Sequence, residues 1–489
     1  MSKRISLIRK ILNSQEILFL GIFSFLTRFF NLSFPSKVVF DETHFGLYAT
    51  KYFSHQYYFD IHPPLGKIFL AIAGFFGGVK NGFNFEGGAP YGDFNYLALR
   101  FLPALFGSFL VILIYFFAKE LGFSKRVAFL SGFLVLFDNA LIVQSRFILL
   151  DIFLVFFIFL SIYLFIFSRR FTPFSLKWYI ISLFCGLSLG VAISIKLTGI
   201  GVLGIIWFLI ILQDHFFSKK KKEILTIFAV FFLVPFLAYF LIFSLHFYLL
   251  PNSCEANCGS ILEKNISASK NPNVFYDWKK LPDGNLFFKF FYVNKTILFH
   301  DFFNEDSHPY QSDWWSWPLM LRPVVYSPEK INGKNFFIYL LGNPFIWWSA
   351  LIGIVGYLYL IIRNFILKFT MKIPEVFYSK NILILIIGYF IYFLPFATIK
   401  RFMLIYHYLP ALIFSIILLS IFFEGIIEMI FGPSQNDKIL FKNKKANIIF
   451  FGFLLIIFLS FLFFSPLTYG FPMTDQQFQE RMWLDIWKI

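Results

Sequence analysis

The chain has 489 residues, 58% of them hydrophobic and only 14% charged, with a mean hydropathy of +0.72 and a formal net charge of +16. A soluble domain cannot hide that much apolar surface, and the charges cluster between long apolar runs, so the chain reads as an all-α polytopic membrane protein. The basic excess is not read as nucleic-acid binding, because the cations sit where membrane topology needs them.

A basic start followed by an apolar run, with no small-residue cleavage site after it, predicts an uncleaved first span near 16–33. Further apolar runs lie near 96–118, 126–143, 147–168, 177–194, 197–213, 223–249, 336–362, 380–396, 402–424 and 446–469. At about 20 apolar residues per span, that makes about eleven spans. The stretch PLGKIFLAIAGFFGGVK at 64–80 follows another proline, carries Lys67 and holds four glycines, so it reads as an interfacial or re-entrant helix. With the N-terminus inside, every inner loop is basic, including Lys219 to Lys222, as the positive-inside rule requires. That topology puts 34–95 and 250–335 outside as two large loops. It divides the chain into a membrane module of about seven spans (1–249), the second outer loop (250–335) and a module of about four spans (336–489).

The first outer loop contains FDETHFGLYATKYFSHQYYFDIHPPLGK at 40–67, with Asp41, Glu42, His44, Asp60, His62 and Lys67 among aromatic residues. A carboxylate at a membrane interface is partly desolvated, which raises its pKa and suits a general base acting on a hydroxyl. The same spacing suits Asp41 as the cap of a helix beginning near Thr43, with Glu42 solvated. His44 and His62 fit structural hydrogen bonds better than metal ligation, since no i, i+4 His pair or Cys/His cluster completes a site. Lys67 either snorkels or faces a phosphate. Of three cysteines, Cys185 lies in an apolar run, and Cys254 and Cys258 share a loop in which an oxidising compartment would let them pair. Asn265 and Asn294 begin glycosylation sequons.

FDETHFG followed by a tyrosine-rich stretch and FDIHPPLGK resembles the first luminal loop of the protein O-mannosyltransferase family, multi-span enzymes of the GT-C class. Other segments resemble the family in order: QSRFILLDIFLVFF at 144–157, HDFFNEDSHPYQSDWWSWPLMLRPVVY at 300–326, GNPFIWW at 342–348 and KRFMLIYHYLPAL at 400–412. Between them, Gly186, Gly190 and Ser194 form a close helix-packing face, and Lys196 stands at the outer turn where it could meet an anionic head group. An intramembrane Asp151 requires a partner, for which Arg28 and Arg100 are candidates.

The resemblance implies a GT-C fold and transfer of mannose from a polyprenyl (dolichyl-type) phosphate mannose to Ser/Thr hydroxyls of extracytoplasmic proteins, inverting, with no metal and no cofactor. It implies Asp41 as general base and Glu42 as the group orienting base or acceptor. Arg146, Lys67, His62 and Arg322 are the candidates for the donor phosphate and sugar. His44, Asp60, His308, Trp315 and His407 are candidates for acceptor binding or support, and Arg146 could instead snorkel. The expected partners are the lipid-linked donor, a Ser/Thr-containing polypeptide, membrane lipids and the protein translocation machinery, with no nucleic acid. Eukaryotic members insert a β-trefoil MIR domain in the second large outer loop. Residues 250–335 are too few for one, which suggests a compact, prokaryote-like member in the cell (inner) membrane with its active site on the extracytoplasmic face. Two other readings stay open: a GT-C enzyme that glycosylates a lipid or glycan, and a transporter, although the charges gather at one outer face and not along a mid-membrane path.

Overall fold

The computed structural model of the protein describes residues 14–212, 220–255, 279–303, 307–367, 381–433 and 439–488. The long apolar runs are helical, as they must be where no water is present to bond the backbone. In chain order the first half contains α1 (Gln15–Phe29), α2 (Glu42–Ser54), α3 (Leu65–Phe76), α4 (Tyr96–Glu120), α5 (Lys125–Leu136), α6 (Asn139–Arg146), α7 (Asp151–Ser168), α8 (Leu176–Ile195) and α9 (Ile200–Ile211). Then come α10 (Lys221–Phe228), which runs through a π turn into α11 (Val234–Leu249), and α12 (Leu286–Phe303). The second half holds α13 (Pro344–Leu367), α14 (Ile382–Ile391), α15 (Leu409–Phe431), α16 (Lys444–Tyr469) and α17 (Asp475–Gln479).

Among the described residues, seven helices are long and apolar enough to cross a membrane, or eight if the bent pair α5–α6 is one broken span. The expected count of about eleven is thus met only in part. The stretches at 197–211 and 382–398 are helical but short, and α1 has 15 residues. The run at 126–143 is not one rod, because α5 and α6 meet at 58°. Asp138 causes the break by capping α6: its Oδ1 accepts from the Leu141 amide at 2.9 Å, and its Oδ2 accepts from Trp347 Nε1 at 2.7 Å. The carbonyls orphaned at the end of α5 are met by Arg28, which donates to Val135 and Leu136 at 2.8 and 2.7 Å. Arg28 is therefore not the partner of Asp151.

The chain is mostly helical but not all-α. Between α12 and α13, β1 (Val324–Ser327) pairs antiparallel with β4 (Ile338–Leu340), and β2 (Lys330–Ile331) pairs with β3 (Lys334–Asn335) around a tight turn. Asn332 and Gly333 both have positive φ there, 48° and 73°, which an Asn-Gly turn tolerates. This sheet takes up the residues expected to begin a span at 336, so the helix starts at Pro344 instead. Helix α3 has only 12 residues and leaves Phe75 and Phe76 71% and 83% exposed while burying Leu65, Gly66 and Lys67, the pattern of an interfacial helix. Cys258 and Asn265 lie outside the described residues, so the Cys254–Cys258 pairing and the first sequon do too.

The glycine face on α8 packs against the π turn (Ala229–Leu233) and α11. A Cβ on Gly186 would stand 2.4 Å from the Val230 carbonyl oxygen, and one on Gly190 would stand 2.6 Å from Ala238 Cβ and 2.8 Å from the Pro235 carbonyl oxygen. Gly190→Val should therefore force the helices apart at a cost of about 1–3 kcal/mol or more. Thermal unfolding in detergent should show a clear drop in Tm. Gly452→Ala should leave Tm unchanged or raise it, since a Cβ there meets nothing within 4 Å and alanine favours the helix.

Candidate active site

The acidic pair sits where an extended segment turns into α2. Phe40 takes a positive φ of 44°, an unfavourable conformation for an aromatic residue, and its ring stacks on Tyr326 at 4.5 Å and 11°. The next two residues have opposite surroundings. Glu42 is completely buried, and its carboxylate accepts five hydrogen bonds. Two come from Arg100 (Nε at 2.7 Å, Nη2 at 2.8 Å) and one from the Tyr91 hydroxyl at 3.0 Å. The others come from the amides of Val39 and Ile148, both at 3.1 Å. Arg100 spends its remaining donors on the carbonyls of Leu32, Pro35 and Lys37, and its plane lies over Tyr96 at 4.8 Å and Phe147 at 4.9 Å. Glu42 is thus neither solvated nor exposed to a ligand. It ties the first outer loop to α4 and to the α6–α7 junction, and Arg100 belongs to Glu42, not to Asp151.

Asp41 holds the cap position of α2 but makes no side-chain capping bond. Its backbone carbonyl accepts from His44 and Phe45, while its half-buried carboxylate has no hydrogen-bond partner among the described residues. Burial pushes its pKa up from 3.8 to about 7. The charges of Asp151 and Asp60 push the same way, and Lys196 opposes them. The expected cap therefore gives way to an uncommitted carboxyl group poised to ionise near neutral pH.

Two buried ion pairs surround it. Lys67 Nζ donates to Asp60 Oδ2 at 2.5 Å, and Lys196 Nζ donates to Asp151 Oδ1 at 2.7 Å. Lys196 is thus the partner that Asp151 requires, and it also lies 5.1 Å from the centre of the Tyr406 ring. Lys67 also donates to the His62 carbonyl at 2.5 Å, so of three protons on each ammonium group Lys67 keeps one and Lys196 two among the described residues. Buried Tyr326 and Tyr406 feel the charge of Asp41 and close the cluster. Burial holds His62 well below its usual range, reinforced by Lys196, Lys67, Arg401 and His407, so its ring is neutral. His44 is also depressed by burial and stacks on Tyr48 at 6.3 Å. His407 bonds the Leu404 carbonyl at 2.8 Å and lies against Tyr406 and Trp317.

Three further candidates stand apart from this cluster. Arg146 is buried and donates to the carbonyls of Phe30 and Asn31, the latter at 2.7 Å, while stacking over Tyr469 at 4.6 Å. It closes the end of α1 and is not among the groups whose charge acts on Asp41. Arg322 is exposed, donates to the Pro309 carbonyl at 2.7 Å and lines an outer cavity together with Trp315. His308 stacks on Phe402 at 5.3 Å and meets Phe40 edge-on. The sequence reading overlooked Tyr326 and treated Arg401 and Lys196 as secondary. The IYHY stretch held the signal for Tyr406, whereas Tyr326 carried none beyond its place in an aromatic loop.

A bent-helix membrane body with acidic chemistry on its first outer loop is the architecture of the GT-C glycosyltransferases. The chain superposes on the Saccharomyces cerevisiae protein O-mannosyltransferase Pmt1–Pmt2 complex bound to the sugar donor with a TM-score of 0.81. That match has 21% identity and covers 97% of this chain and 92% of that one. It also superposes on ArnT from Cupriavidus metallidurans bound to undecaprenyl phosphate, with a TM-score of 0.52 and 14% identity over 92% of this chain and 70% of that one. Residues 18–251 match the family model described as dolichyl-phosphate-mannose-protein mannosyltransferase, and 286–487 match that of the C-terminal four TMM region of protein-O-mannosyltransferase. The chain belongs to the protein O-mannosyltransferase family.

Among its curated relatives, dolichyl-phosphate-mannose–protein mannosyltransferase 3 of Saccharomyces cerevisiae is 32% identical over 266 residues, 51% of this chain and 35% of that protein. Protein O-mannosyltransferase 1 of Drosophila melanogaster is 31% identical over 238 residues, 47% of this chain and 27% of that protein. The matches thus span about a third of the length of these relatives.

Replacing Glu42 by Ala leaves Arg100 buried without its counter-charge, a loss of about 3–5 kcal/mol. Thermal unfolding and protease resistance in detergent should both fall sharply. Glu42→Gln should fall less, because its oxygen keeps some of the bonds, and any activity left in either variant should track the folded fraction.

Proposed function

We propose that the protein transfers a mannosyl group from a polyprenyl (dolichyl-type) phosphate mannose to Ser or Thr hydroxyls of polypeptides on the extracytoplasmic side of a prokaryotic cell membrane. The observation that carries this reading is the unbonded Asp41 carboxyl, with a pKa of about 7, within the field of Lys196, Asp151 and Asp60, whose carboxylates hold Lys196 and Lys67. Family membership and the printed activities of the relatives support it.

In this mechanism the acceptor oxygen attacks C1 of the sugar while the bond from C1 to the phosphate oxygen breaks. The hydroxyl proton passes to Asp41, and the lipid phosphate leaves carrying the electron pair. One displacement inverts the anomeric centre, turning a β-phosphate into an α-mannoside. Lys196 and Lys67, each oriented by its carboxylate, offer their remaining N–H groups to the departing phosphate, with Arg401 adding positive potential. This assigns to Lys196 much of what the sequence suggested for Arg146. Glu42 positions the loop that presents Asp41, and the lipid tail enters between the helices.

A base with a pKa near 7 accepts the hydroxyl proton only when ionised, so transfer should rise with pH up to about 7 and then level off. The stability linkage runs the other way. A carboxyl raised by the fold binds its proton more tightly folded than unfolded. Its contribution is therefore full below about 4 and is lost as pH climbs through about 7. Asp41→Asn should reduce transfer about 10²–10⁴-fold, leave Tm unchanged at pH 4 and raise it at pH 8. The assay incubates purified protein with polyprenyl-phosphate mannose and Ser/Thr peptides and reads mannosylated peptide by mass spectrometry. Wild-type transfer by Asp41→Asn would overturn the assignment, and product only on lipid would point to the lipid-acceptor alternative.

A further inference from the structure

The cavity lined by Arg322 and Trp315 has a volume of about 590 Å³, a size typical of ligand pockets. The segments 307–322 and 399–403 form its walls, tied together by the Ser312 amide bonding the Met403 carbonyl at 2.9 Å. Its lining differs from the rest of the molecule. Arg322 and Lys400 supply two cations against one carboxylate, Asp313, Arg401 stands in the same wall, and Trp315 is 53% exposed at its edge. Asp485, beside the lining residue Ile486, is already paired with Lys488 at 2.6 Å. Among the described residues the cavity therefore carries a net positive field, and an exposed Trp is the side chain most often used to anchor a bound polypeptide.

The cavity also adjoins the reaction centre. Phe402 in its wall stacks on His308 at 5.3 Å, His308 meets Phe40 edge-on at 6.4 Å, and Phe40 immediately precedes Asp41. Three aromatic rings in series, Phe402, His308 and Phe40, thus link the wall of the cationic groove to the residue beside the proposed base. A polypeptide whose hydroxyl reaches Asp41 would lay its neighbouring residues into this groove.

Resting on the mannosyltransferase reading, we propose that this cavity binds the acceptor polypeptide on either side of the reacting hydroxyl and selects segments with Asp or Glu within a few residues of that Ser or Thr. Trp315 supplies apolar contact, while Lys400 and Arg322 supply the charge preference.

The test uses the full chain in uncharged detergent, a fixed concentration of polyprenyl-phosphate mannose, and three peptides of equal length around one Thr, flanked by Asp/Glu, by Asn/Gln or by Lys/Arg. Each exposed charge pair should change the peptide KM about two- to fivefold. The order should be acidic lowest and basic highest, with donor KM unchanged. The spread should shrink at 1 M salt, where the screening length falls to about 3 Å. Lys400→Glu should narrow or invert the acidic-to-basic KM ratio, and Lys400→Gln gives the same ratio test if the reversal misfolds. Equal KM values for the three peptides at low salt would overturn the inference while leaving the enzyme reading intact. So would a preference that moves only donor KM, or one that anionic lipid in nanodiscs abolishes, because the cavity would then hold lipid phosphates. No transfer to any peptide would sink the mannosyltransferase reading itself, and this inference with it.

Discussion

The buried pair between Glu42 and Arg100 is the constraint on which the outer face depends. An ion pair taken fully out of water is sustained only if every lone pair and proton is met, and here the carboxylate accepts five bonds while the guanidinium reaches three further carbonyls. Those partners come from the loop before α2, from the loop before α4, from α4 itself and from the α6–α7 junction. A single carboxylate thus joins parts of the chain up to 106 residues apart in sequence. The strained Phe40 and its stack on Tyr326 are affordable because the neighbouring residue is held this firmly.

Adjacent carboxylates with opposite fates follow from that anchor. Once the Glu42 side chain is committed inward, Asp41 at the helix start remains uncapped, beside Asp60, Asp151 and Lys196. Burial without a hydrogen bond raises a carboxyl's pKa, whereas burial inside a full set of donors does not require protonation. The two residues differ little in chemistry, and their surroundings alone set their roles. The same logic governs the intramembrane charges. Asp138 breaks a helix and caps the new start, Arg28 satisfies the carbonyls that the break exposes, and Arg146 does so at the end of α1. Each charge is accounted for by backbone groups that a bilayer leaves no water to satisfy.

The sequence could announce the candidate site but not the partners of the side chains within it. FDETHFG and HPPLGK are local in sequence, and they do fold into one region, with Asp60 and Lys67 paired seven residues apart. The partner of Glu42 lies 58 residues on, and that of Asp151 lies 45 residues on. Such pairings depend on which helices pack together, and hydropathy does not encode that. The bend inside the 126–143 run was hidden for a related reason. A hydropathy window sees apolar length, so it read 126–143 as one rod although Asp138-Asn139 is itself a helix-start signal inside the run. An arginine at the end of a span suggests a phosphate, but nothing local in the sequence shows that the carbonyls of Phe30 and Asn31 at the end of α1 take the Arg146 donors. The glycine face on α8 was legible because close packing needs only a local spacing.

Charge movement links the anchor to the proposed chemistry. Before transfer the negative charge resides on Asp41 and on a phosphodiester; afterwards Asp41 is neutral and the lipid phosphate carries close to two charges. The step therefore carries one unit of charge from Asp41 towards the lysines. In a partly desolvated site that displacement is strongly weighted by where the cations stand. Lys67 and Lys196 are each held by a carboxylate in a buried pair, so they need little reorganisation when the charge arrives. Asp41 bears the electrostatic strain instead, because Asp60 and Asp151 that orient the lysines are also the groups that raise its pKa. The features that make its ionisation unfavourable before the reaction thus favour its protonation during it, which ties the two flanking ion pairs and the uncommitted carboxyl into one device.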